Sequence, residues 1–312
     1  MKKLIARHSP LVILAGLSVA VAILAPEFRS ADNLTRVMYR TAVVGIIATG
    51  QTLVILTGGI DLSVGSVAAV CGMFAGLLMR DAGAPVPAAV LAGSALGLFC
   101  GIVNGLLVTK GRIPPFIVTL GMMMVARGAT LLMSKGQTVA NFPQSFSFLG
   151  GGQGWWIPVT ITVVISVSFS ITLAFTRFGR TLYAIGGNLA SARLSGINVD
   201  RMRTAAFGLC SLLAGFGGVV LASRTSVATP NAGEGLELDT IAACVIGGAS
   251  LMGGEGGMVG TLAGALIMNV LVNFCNLKKF DVYWQMVLVG GLIIVLVFYD
   301  NYRKRKAGLL KD

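Results

Sequence analysis

RFGRTLYAIGGNLASARLSGINVDRMR, residues 177–203, is the stretch that organises this chain. Five arginines (Arg177, Arg180, Arg193, Arg201 and Arg203) make it a polar island between two long apolar runs. Inside the island lies a compact helix signal. Asn188 is a good N-cap, Leu189 to Ser195 makes about two turns, and Gly196 stands where a left-handed C-terminal cap belongs. A short capped helix held between two membrane spans is a rigid handle, suited to the grip of a soluble partner. An inner loop made basic only for topology has the same composition, and spacing alone leaves both readings open.

The flanking runs set the class. The chain has 312 residues, of which 55% are hydrophobic and 12% charged. Several runs are long enough to cross a bilayer, so the class is an all-α polytopic membrane protein. A net charge of +12 might suggest nucleic acid, but the basic residues sit between apolar runs and at both ends. No nucleic-acid partner is expected. Cys71, Cys100, Cys210, Cys244 and Cys275 all fall in apolar segments, and the single histidine is His8. They read as small buried hydrophobes with no metal or disulfide framework. The apolar run 11–25 follows Lys2, Lys3 and Arg7 without a convincing cleavage site, and reads as a retained first span.

Ten spans are expected, near 11–26, 38–57, 61–79, 86–109, 114–133, 157–176, 204–222, 239–253, 257–275 and 283–299. The eighth is short enough to be tilted, kinked or incomplete. With the N-terminus inside, fifteen basic residues fall in inner segments and eight in outer ones. That bias puts both termini in the cytoplasm. Lys278 and Lys279, outside in this scheme, are its weak point. Trp155, Trp156, Tyr283 and Trp284 fall at the outer interface, where amphipathic rings are at home.

Three motifs carry a resemblance. AIGGN at Ala184–Asn188 followed by ARLSGI at Ala192–Ile197, TGGIDLSVGS at Thr57–Ser66, and LDTIAACVIGGASLMGGEG ending at Gly256 are together similar to the ribose-type sugar ABC importer permeases. The similarity runs over nearly the whole chain. It implies a single transmembrane permease domain over 1–312, with two related four-helix bundles and a cytoplasmic coupling helix. It implies a cytoplasmic ATPase partner, a periplasmic or extracellular sugar-binding protein, a second permease copy in the plasma membrane, and no cofactor in this chain, since ATP is bound by the ATPase. The coupling residues implied are Gly187, Asn188, Leu189, Arg193, Leu194, Ser195 and Gly196.

Other residues need an explanation of their own. Asp61 follows Gly58-Gly59 and, with Ser63, reads either as a helix cap in a short inner turn or as a polar site on the transport path. Asn104 and Glu255 are further candidates for pathway or structural polar groups. Arg127 lies well inside the fifth span, where a guanidinium requires pairing, hydration or a snorkelling route. Asp61, Asp239 and Glu255 are its possible partners. VILTGG at 54–59 is echoed by CVIGG at 244–248, and Gly65 follows Gly58 by the interval at which Gly254 follows Gly247. Glycine-interrupted segments at matching positions suggest an internal repeat. Gly72/Gly76, Gly97/Gly101/Gly105 and Gly260/Gly264 place small residues one turn apart, as close helix packing in lipid requires.

No phosphate loop, HExxH or G-x-S-x-G motif is present, so the chain is not expected to be an enzyme. The rival reading is an ion-coupled secondary transporter of small polar solutes. It needs carboxylates within the membrane, and Asp61, Asp239 and Glu255 all fall at span edges in the ten-span scheme.

Overall fold

A computed structural model describes residues 2–281, 283–291, 294, 295 and 298, with side chains from Pro10 onward. The described residues form helices α1 (Lys2–Leu24), α2 (Ala31–Leu56), α3 (Val64–Asp81), α4 (Val86–Thr109), α5 (Pro115–Ser134), α6 (Trp156–Phe175), α7 (Arg177–Gly187), α8 (Leu189–Leu194), α9 (Val199–Thr225), α10 (Leu236–Ile246) and α11 (Met258–Leu277). Residues 283–291 are helical as well. Among the described residues no strand occurs beyond the single antiparallel bridge Val139–Ala228.

Seven described helices, α2 to α6, α9 and α11, are long and apolar enough to cross a membrane. The other three expected spans are not among these, for separate reasons. Of α1 (Lys2–Leu24), the stretch described with side chains is Pro10–Leu24. Helix α10 has 11 residues, about 16 Å of rise against a hydrocarbon core of roughly 30 Å. The tenth span is only partly described, and the basic residues Arg303 to Lys306 and Lys311 lie outside the described residues, as do the side chains of Lys2, Lys3 and Arg7.

Helix α2 is the axis. Of its most apolar window 89% is buried, against 28% for α4 and 22% for α5, whose remaining surface suits lipid. It packs on α6, α9, α10 and α11. Hydroxyl groups tie it to two of them: Thr49 Oγ1 lies 2.8 Å from Ser166 Oγ of α6, and Thr52 Oγ1 lies 2.7 Å from Thr261 Oγ1 of α11. Polar bonds and backbone approach carry such contacts, because lipid tails are as apolar as the side chains they would replace. The glycine rows are these close approaches. Gly101 and Gly105 of α4 face backbone of α9, Gly72 of α3 faces the Gly218 carbonyl, and Gly264 of α11 faces that of Ala243 in α10.

The expected division into two four-helix bundles is not how the described helices pack. Helix α9 belongs to the second half of the chain but lies against α2, α3 and α4 of the first. The five cysteines are free and buried, as their apolar settings suggest.

The two glycine motifs share a helix cap, one residue out of the register expected for the echo. At the end of α2, Gly58 N donates to Ile55 O (2.9 Å) and Gly59 N to Val54 O (3.2 Å). At the end of α10, Gly248 N donates to Val245 O (2.9 Å) and Ala249 N to Cys244 O (2.9 Å). Gly58 and Gly248 hold φ of 73° and 90°, the left-handed position of this cap. Gly58 therefore corresponds to Gly248, not Gly247. The Gly65–Gly254 match falls out of register: Gly65 lies in α3, whereas Gly254 lies in a loop.

Candidate functional site

The segment after α6 folds as an elbow of two helices. Thr176 caps α7, its Oγ1 accepting from Gly179 N at 3.3 Å. Asn188 closes α7 and opens α8, with Oδ1 accepting from Ser191 N at 2.9 Å. Gly196, at φ 79°, ends α8: its N donates to Arg193 O (3.0 Å) and Ile197 N to Ala192 O (3.1 Å). The expected caps thus fall at the expected residues, with α8 one residue shorter. Helix α7 is an addition, since the sequence reading placed no helix over 177–187. Its signal is the spacing of Phe178, Leu182 and Ile185, which are buried or half-buried on one face.

Inward, Ile185, Ala192 and Val199 form a small apolar cluster that seats the elbow on the start of α9. Outward, α8 exposes Ser191, Arg193 and Ser195, with Leu189 38% and Leu194 90% exposed. An almost bare leucine at the tip of a capped helix is a ready contact for another protein.

At the corner of the elbow, where α7 ends, three glycine pairs meet. Leu56 O, left open by the end of α2, accepts from Gly254 N at 3.0 Å. A Cβ on Gly253 would stand 2.7 Å from Gly58 N and 2.8 Å from Gly186 Cα, and one on Gly254 would stand 2.9 Å from Gly187 N. A Cβ on Gly186 would run into Leu56 O and Gly254 N. Tyr183 Oη donates to Gly256 O at 2.8 Å. Gly58-Gly59, Gly186-Gly187 and Gly253-Gly254 belong to the three separate motifs quoted above. The fold brings them together at one backbone junction joining α7, the end of α2 and the α10–α11 loop. Sequence reasoning marked each pair but had no means of placing one on another.

Asp61 and Asn104 are also brought together. Asp61 lies between the end of α2 and the start of α3, at the span edge as expected, and is fully buried there. Its Oδ1 accepts from Ser63 N (2.9 Å) and Ser63 Oγ (2.6 Å), and its Oδ2 from Ser211 Oγ (3.4 Å). Asn104 Nδ2 donates to Ser63 Oγ at 3.1 Å. With the Gln51 amide turned, its N donates to Asp61 O and its O accepts from Asp61 N, each at 3.2 Å. Glu255 lies apart, in the α10–α11 loop, where its carbonyl accepts from Ser250 N at 3.0 Å.

Arg127 pairs with none of its three expected partners. Its Nη1 donates to Pro230 O (2.7 Å) and Ala232 O (3.0 Å). The reason is the α9–α10 connection. After Ala228, bridged to Val139 in both directions (2.8 and 2.9 Å), non-helical backbone runs past α5 until Gly233 abuts Gly65 at the start of α3. Helix α10 continues from there. In place of the eighth expected span stands a half-length helix preceded by a run of turns. Non-helical backbone within a membrane survives only when protein groups satisfy it, and Arg127 supplies two of the donors.

A family model described as "Branched-chain amino acid transport system / permease component" matches residues 33–297. The ribose import permease protein of Escherichia coli strain K12 is 42% identical over 302 residues, covering 94% of this chain and 93% of the relative. That of Bacillus subtilis strain 168 is 42% identical over 303 residues, covering 96% and 93%. The fructose import permease protein of Rhizobium meliloti is 36% identical over 309 residues, covering 96% and 86%. No solved structure matches significantly.

Proposed function

The chain belongs to this family of transport-system permease components, and from that premise we propose that it is the membrane-spanning subunit of an ABC importer for a monosaccharide. The relatives' named sugars support the substrate class. The single observation that carries the mechanism is the glycine junction. Helix α8 offers Leu194 and Arg193 to a cytoplasmic ATPase, and α7 rests backbone-to-backbone on the end of α2 and on the α10–α11 loop. A force applied at α8 therefore reaches two membrane elements through contacts without side-chain slack. Two permease copies form the pathway, a binding protein delivers the sugar outside, and the chain itself holds no ATPase site.

Reconstitution tests this. In proteoliposomes, sugar accumulation requires this chain, the ATPase, the binding protein and ATP together. Accumulation by the chain alone, driven by a proton or sodium gradient, would establish the ion-coupled alternative. Burial of Asp61 is the one observation favouring that alternative, which is why both gradients belong in the experiment.

The elbow is proposed as cytoplasmic, with both termini on the same side. A cysteine at Ser191 is then shielded in intact cells from an impermeant thiol reagent, while one at Ser145, exposed on the α5–α6 connection, reacts. Labelling of Ser191→Cys from outside overturns the orientation.

The docking role of α8 has its own variants. Gly196→Val forces a β-branched residue into a left-handed conformation, and Arg193→Glu reverses an exposed charge. Both reduce ATPase recovery in a pull-down and lower uptake in the same cells. Full recovery with both variants reduces α8 to a topological anchor.

A further inference from the structure

Across the bundle from the elbow, the far ends of α2, α9 and α11 enclose a polar cavity of about 440 Å³. From Asn33 to Leu56, α2 separates the two regions by roughly 35 Å. The cavity wall carries the guanidinium groups of Arg36, Arg40 and Arg224 and the amides of Asn33, Asn269 and Asn273. None of these entered the functional argument above.

Most of these groups are already held in place. Arg40 Nη2 donates to Asp239 Oδ2 at 3.2 Å, which balances its charge. The Arg224 guanidinium stands over the Tyr39 ring, 5.2 Å from its centroid, and Tyr39 Oη donates to Gly151 O at 2.9 Å. Asn33 and Asn273 donate to each other's carbonyl oxygens at 3.0 and 2.7 Å, fixing both amide planes. Asn269, 4% exposed, donates to Ala265 O at 2.9 Å. Each Asn269 and Asn273 amide has capacity beyond these bonds, since an amide has two donor hydrogens and two acceptor lone pairs.

The wall therefore sets donors and acceptors side by side. An anion only accepts, and would leave the spare acceptor capacity of the Asn269 and Asn273 amides unused. A hydroxyl both donates and accepts, so neighbouring hydroxyls on a ring suit a wall that carries guanidinium and amide groups together. The volume lies within the roughly 300–1,000 Å³ typical of small-molecule sites. We propose that this cavity is a vestibule that binds an uncharged polyol, of the sugar class, at the entry end of the protein. The inference rests on the importer reading above and gives that reading a residue-level substrate contact.

The test uses the full chain in lipid nanodiscs with D-ribose as probe, read by saturation-transfer NMR, and sodium sulfate as competitor. The ribose signal falls about threefold to tenfold in Arg36→Gln and in Asn269→Leu, as expected for one or two lost hydrogen bonds, and sulfate leaves the wild-type signal unchanged. Arg36 is exposed, so its variant folds even where the Asn269 variant fails. No wild-type signal, an unchanged signal in Arg36→Gln together with any folded Asn269→Leu protein, or displacement of ribose by sulfate overturns the vestibule. Uptake by the wild-type complex with ATPase and binding protein is measured in parallel. ATP-driven uptake without a ribose signal at the cavity removes the vestibule alone, whereas absence of ATP-driven uptake removes the importer reading itself.

Discussion

Gly186→Ala abolishes ATP-driven sugar uptake, while Gly187→Ala, one residue further on, leaves it within about twofold of wild type. The two glycines sit at the same helix end, and their alanine variants differ in one respect. A methyl on Gly186 collides with the carbonyl of Leu56 and the amide of Gly254, while a methyl on Gly187 meets nothing within 4 Å. Both obstacles are backbone, so no rotamer change relieves the clash. The Leu56–Gly254 hydrogen bond passes through the same space. Overpacking of this kind costs about 1–3 kcal/mol, here spent on prising α7 away from α2 and the α10–α11 loop. Helix α8 keeps its caps at Asn188 and Gly196, so ATPase recovery stays near normal while transport is lost. Uptake and pull-down in the same cells measure both quantities. Equal uptake by the two variants removes the junction from the mechanism; loss of ATPase recovery in Gly186→Ala shows that the variant damages docking, not transmission.

Arg127→Met produces the largest loss of stability of any single substitution at an ionisable residue within the spans. Methionine approximates the aliphatic stem but carries no donor. Pro230 O and Ala232 O then lie unpaired beside α5, at a cost of up to about 1–3 kcal/mol each, less for the half-buried Ala232. Arg127→Lys recovers part of the loss, because an ammonium reaches carbonyls but lacks the fixed fork of the guanidinium. The measurement is thermal unfolding of the purified chain in detergent, with Arg80→Met as the comparison. Arg80 bonds only to Asp81, its exposed neighbour in sequence, and its loss is expected to shift the midpoint little. An Arg127→Met midpoint no lower than that of Arg80→Met contradicts the satisfying role and returns Arg127 to the list of pathway candidates.

These two residues mark where sequence reading stopped. Arg127 was recognisable as anomalous because charge within an apolar span is costly wherever it points. Its partners were sought among acids, the only counter-groups a sequence displays. The actual partners are backbone carbonyls of a stretch that reads as an ordinary polar loop. Asp61 shows a related limit, in burial and not in position. Hydropathy puts TGGID at the end of a span, hence at an edge, yet packing of α4 and α9 around it removes all solvent. Depth along a sequence and exposure in a fold are different quantities once helices are broken.

What the sequence determined by itself was local or cumulative. Membrane class follows from apolar content summed over long windows. Caps at Asn188 and Gly196 follow from side chains that bond their own neighbours. The glycine rows predicted close helix packing, because a missing Cβ acts at whichever partner it meets. The tertiary structure alone decided the partners. It assigned α9 to the helices of the first half, placed Gly186 on Leu56 and Gly254, and set Gly233 against Gly65. It also replaced an eighth continuous span with a run of turns and a short helix. Each of these is a contact between positions far apart in the chain, and glycine, having no side chain, leaves no pattern in the sequence to say which surface it will touch.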